Sequence, residues 1–156
     1  MNKTITVNYS KEEEKIVIGV KDETYQINLV LDMLVSAIAI LVQLCGEQNY
    51  KLKDYQLMHR IKYNLDNGLI IETDQDLMVI LTTNLEHEWI NISFPSKQGY
   101  LPIDQTIDLI TQSIYNLIQK DRNPLELRSI IEDALDRSFN KPDSKPIEFT
   151  DKFLSH

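Results

Sequence analysis

The chain is poor in the residues from which phosphate-binding loops are made. It has four glycines in 156 residues, at positions 19, 46, 68 and 99, with no two of them close together. A loop that cradles phosphate needs clustered glycines so that backbone N–H groups can approach the anion, so a P-loop or dinucleotide fold is excluded. Cysteine is limited to Cys45. An internal disulfide is therefore impossible, and a thiol at the end of an apolar run is expected to be buried and inert, in a protein of the reducing cytoplasm.

Positive charge is missing from one long stretch. No Lys or Arg occurs between Lys62 and Lys97, while Asp66, Glu72, Asp74, Asp76, Glu86 and Glu88 all fall in that gap. The formal net charge of the whole chain is −8. Long-range repulsion then argues against direct binding of nucleic acid or of an anionic membrane and favours a basic partner. Alanine occurs three times against twenty isoleucines and eleven asparagines, a bias towards AT-rich codons that suggests a low-GC bacterium or one of its phages as the source.

Catalytic and metal-binding patterns are also lacking. His59, His87 and His156 are scattered, and local spacing joins none of them to a nucleophile. Glu72, Asp74 and Asp76 alternate like the start of a calcium loop. The sixth residue counted from Glu72 is not glycine, however, and the twelfth is Thr83 where a bidentate glutamate belongs. No metal, cofactor or catalytic residue is expected.

What the chain does have is one strongly apolar run, residues 29–45, in which only Asp32, Ser36 and Gln43 are polar. At helical spacing these three align with Asn28 and the small Ala39 in one narrow stripe, and the rest of the circumference is apolar. Asp32 and Ser36 interrupt the run, and its uninterrupted part is too short for a membrane span of about 20 apolar residues, so it is read as a core helix. The stripe itself is left without a task. A buried, unpaired Asp32 would favour a ligand site or an enzyme.

Around this helix the expected fold is α+β. Alternation in 4–9 and 15–20 gives an N-terminal hairpin. A three-strand meander over 69–72, 77–83 and 89–94 brings the antiparallel sheet to about five strands, with strand 77–83 apolar on both faces and covered twice. Four helices complete it: the central helix 29–45 closed by Gly46, one from Asp54 to Asn67, one capped by Asp104, and one opened by Asn123, Pro124 and Glu126 that buries Leu127, Ile130, Ile131, Ala134 and Leu135. Residues 1–140 form a single domain, and 141–156 an extended C-terminal tail.

The function this reading favours is a non-enzymatic acidic protein-binding module, an inhibitor or antidote of a basic, nucleic-acid-binding protein. Its contact surface would be Glu72, Asp74, Asp76, Glu86, Glu88 and Trp89, acidic turns beside an aromatic anchor. One alternative is an assembly subunit that forms a homo-oligomer, such as a homodimer, through apolar helix faces. A small ligand-binding domain or enzyme is the other.

Overall fold

In the computed structural model of the chain, residues 2–20, 26–47, 54–84 and 89–139 are described. The expected tail 141–156 lies outside them. The fold is α+β, with four helices and one antiparallel sheet.

The strands are β1 (Asn2–Ser10), β2 (Lys15–Val20), β3 (Leu77–Asn84) and β4 (Trp89–Ser93), in the order β2-β1-β3-β4. The sheet has four strands rather than five because 69–72 forms no ladder. Both edges of β1 and of β3 are already paired, and the backbone of 69–72 is tied elsewhere. The Leu69 N–H donates to Gln112 Oε1 at 2.7 Å, and Tyr9 Oη donates to the Ile71 carbonyl at 3.5 Å. Ile70 is left 87% exposed.

Strand β3 is central, as its composition suggests, but only one of its faces is fully covered. Leu77, Val79 and Leu81 are buried with Ile5, Val7, Tyr9, Ile90 and Ile92, whereas Met78, Ile80 and Thr82 on the opposite face are half-buried. Its ladder with β4 stops at the Ile80–Ser93 pair because the residue that would face Met78 is Pro95, which has no N–H to give. The loop beyond turns back, and Gln98 takes the missing place: its Oε1 accepts from the Met78 N–H at 2.6 Å and its Nε2 donates to the Met78 carbonyl at 3.0 Å.

The helices are α1 (Ile27–Glu47), α2 (Asp54–Asn67), α3 (Ile103–Gln119) and α4 (Pro124–Phe139). α1 packs on β3 and β4, α3 packs on β1 and β2, and α2 and α4 pack against α1 and α3. The layers are thus sheet, an inner helix pair and an outer helix pair. This arrangement explains why α1 is apolar nearly all round: Leu34, Ala37, Ile38, Ile40, Leu41 and Val42 are all fully buried. By length and composition α1 could also cross a membrane, but the sheet and the other helices bury most of it.

Helix ends follow local chemistry, with two departures from expectation. α1 runs through Gly46 to Glu47, so Gly46 belongs to the last turn and is not a cap. α3 begins at Ile103 after Pro102, with Asp104 inside its first turn. The Pro102 carbonyl accepts both the Thr106 N–H at 3.0 Å and the Thr106 hydroxyl at 2.9 Å, which fixes the start two residues earlier than an Asp104 cap would. At α4 the expected signal operates: the Glu126 N–H donates to Asn123 Oδ1 at 3.4 Å, and Asn123 Nδ2 donates to Glu126 Oε2 at 2.9 Å.

α2 ends at Gly68, whose φ of 77° lies in the left-handed region and whose N–H donates to the Asn64 carbonyl at 2.7 Å. A Cβ at this position would lie 2.9 Å from the Tyr115 ring. Gly68→Ala therefore combines backbone strain with a steric conflict, and we expect it to lower the unfolding free energy by about 1–3 kcal/mol in urea melts. Leu41→Ala, which opens a cavity at the centre of α1, is expected to cost about 2–5 kcal/mol in the same measurement.

Candidate functional site

Of the acidic residues in the Lys62–Lys97 gap, Asp66 lies in α2, and Glu72, Asp74 and Asp76 lie at one end of β3. Glu72, Asp74 and Asp76 precede Leu77, which pairs with Tyr9 next to the β1–β2 turn. Trp89 pairs with Asn84 at the other end, about 23 Å away at about 3.3 Å per residue along the strand. Glu86 and Glu88 lie outside the described residues, as does the side chain of Trp89. The six proposed contact residues are thus attached to opposite ends of the sheet.

At the first end the structure adds residues that sequence spacing does not connect. The Lys11 N–H donates to Asp76 Oδ1 at 2.9 Å, binding the 72–76 loop to the hairpin turn that carries Glu12, Glu13 and Glu14. All six carboxylate side chains are exposed, with Lys11 and Lys15 beside them. The loop is held by its own residues, since Thr73 Oγ1 accepts from the Gln75 N–H at 3.3 Å. Glu14 has a φ of 51°, a conformation that L-residues other than Asn and Asp seldom take.

Two concavities adjoin the helices. One, of about 700 Å³, is the groove between α1 and α4. It is lined by Asn28, Asp32, Ser36, Ala39 and Gln43, the full polar stripe of α1, and faces Ile130 and Arg137 of α4. Asp32 is exposed, so the condition that would have favoured a buried acid site is not met. Ile130, expected in the core, is 53% exposed at this groove.

The second, of about 520 Å³, lies between α2, the 69–72 segment and the start of α3. Arg60 Nη2 donates to Asp108 Oδ1 at 2.8 Å and to Oδ2 at 2.6 Å across it. Burial raises the Asp108 carboxyl above its usual range and Asp104 adds to that, against the opposing pull of Arg60. Neither concavity is lined by Cys45, which is buried, or by His59, which is exposed on α2. Among the described residues no group of three or more His, Cys, Asp or Glu side chains is placed to hold a metal. Comparison with protein-family profiles, curated proteins and solved structures finds no match.

The outer helices are joined by charge. Lys62 pairs with Asp136 at 2.8 Å and Asp66 with Arg128 at 3.0 Å, an antiparallel ladder between α2 and α4. Glu132 lies between these rungs, and its carboxyl is raised by burial and then by its hydrogen bond to Asp66 and the charge of that group, against Arg128 and Lys62. A carboxyl raised in the folded state binds its proton more readily there than when unfolded. Its cost is thus present at neutral pH and is relieved as pH falls through the window between its raised value and the ordinary glutamate value of about 4.3. Glu132→Gln is expected to raise the melting temperature at pH 7, with the gain shrinking to nothing towards pH 4, as thermal melts across that range will show.

Proposed function

We propose that the protein is a non-enzymatic module that binds a basic surface of another protein, acting in the cytoplasm as an inhibitor or antidote of a partner that itself binds nucleic acid. The observation that supports this reading is the joining of Glu12, Glu13 and Glu14 to Glu72, Asp74 and Asp76 at one end of the sheet by the Lys11–Asp76 hydrogen bond. In a chain of net charge −8 such an end concentrates negative field where a groove built for phosphate could receive it. Glu86, Glu88 and Trp89, reached from the opposite end of β3, form a second contact in this reading. A partner that engages both would lie along the length of the sheet.

Asp76 also supports the turn, so a clean test leaves it in place. The variant Glu12→Lys, Glu13→Lys, Glu72→Lys, Asp74→Lys keeps every hydrogen bond described at this end. Affinity capture from a low-GC bacterial lysate with wild-type protein is expected to retain a strongly basic protein that high salt releases and that the variant fails to hold. A second variant, Glu86→Lys with Glu88→Lys, measures the share of the other end. Capture that is indifferent to salt and to both variants would contradict the proposal.

A further inference from the structure

We propose that Asn67 is a self-modifying residue that the fold holds shut: its side-chain amide converts to a carboxylate only when the C-terminus of α2 opens, and the product leaves that end weaker than before. Asparagine is thermolabile because the backbone nitrogen that follows it can attack the side-chain carbonyl. A side chain on the following residue shields that nitrogen, and glycine has none. Of the eleven asparagines only Asn67 precedes glycine, and the others are followed by Lys, Tyr, Leu, Ile or Pro.

The fold itself requires this pair. α2 stops because Gly68 takes the left-handed conformation, where a Cβ would also meet the Tyr115 ring. Asn67, the last residue of α2, is exposed, and its Nδ2 donates to the Tyr63 carbonyl at 2.9 Å, one turn back. The features that end the helix are therefore the ones that make the residue reactive.

The chemistry balances with water alone. The Gly68 nitrogen forms a bond to Asn67 Cγ, the Cγ–Nδ2 bond breaks, and ammonia leaves with the proton that the Gly68 nitrogen gives up. Water then opens the resulting cyclic imide on either side of its nitrogen. One product is aspartate, and the other is isoaspartate, with the main chain routed through the side chain.

Hydrogen bonds oppose the first step in the folded chain. The Gly68 N–H is committed to the Asn64 carbonyl at 2.7 Å, Asn67 Nδ2 holds its side chain back towards Tyr63, and the Leu69 N–H is fixed on Gln112 Oε1 at 2.7 Å. The reaction thus needs local opening, and its rate follows the population of the open form. Product and opening then reinforce each other. A carboxylate at 67 loses the donor to Tyr63 and joins Asp66 at a helix end whose dipole is already negative, while isoaspartate lengthens the chain ahead of Gly68. The change is one-way.

Peptide mapping of the full chain by mass spectrometry, after incubation in mildly alkaline buffer and in concentrated urea, provides the test. Conversion is expected first at residue 67, at least about tenfold slower in buffer than in urea. Gln112→Ala releases the Leu69 N–H and is expected to speed conversion in buffer by about threefold or more, with the rate in urea unchanged and circular dichroism melts reporting that it still folds. Asn67→Asp makes one product directly. Its amides at 64–68 are expected to exchange with deuterium faster than those of wild type. Equal rates in buffer and urea, no conversion at 67 in urea, or earlier conversion at another asparagine would overturn the proposal. So would an Asn67→Asp variant whose amides exchange no faster.

Discussion

The structure depends on the burial of α1. A 21-residue helix that is apolar on nearly every side cannot be covered by a single sheet, which closes only one face. Cover from several directions is therefore required, and the chain supplies it with β3 and β4 beneath, α3 alongside, and α2 and α4 above. Each of these elements spends its own apolar face on the task. The outer helices are joined to each other by charge, in the Lys62–Asp136 and Asp66–Arg128 pairs.

The sheet is shaped by the same demand. Only the face towards α1 and α3 is fully buried, and the other carries Thr4, Thr6, Asn8 and Thr82, with Thr4 Oγ1 and Thr82 Oγ1 3.2 Å apart across the strands. Antiparallel sheets tolerate such a solvated face, which parallel ones do not. The turns at the ends of the strands then carry the acidic residues away from the core. Negative charge and apolar packing are thus separated along the strand direction.

Elements whose signals are local were legible in the amino-acid sequence. The Asn123, Pro124 and Glu126 start signal, the Gly68 stop and the alternation of β1 each act through neighbours a few residues apart, and all appear where expected. Misreadings arose where a distant partner decides. Residues 69–72 have the composition of a strand, but Gln112, 43 positions away, takes the Leu69 N–H, so no ladder forms. Ile130 fits the apolar period of α4 yet faces a groove. The candidate site shows the same division: Glu72, Asp74 and Asp76 stand out as a charge run, whereas their union with Glu12–Glu14 depends on a hydrogen bond between residues 65 apart.

The polar stripe of α1 is the side of the central helix that the other described residues leave open. The account holds that α1 is the buried post of the domain. Hydrogen exchange followed by mass spectrometry tests it most directly. Amides from Met33 to Leu44 should exchange at the slowest rates in the protein, governed by global unfolding. Exchange there as fast as in the exposed turns would contradict it.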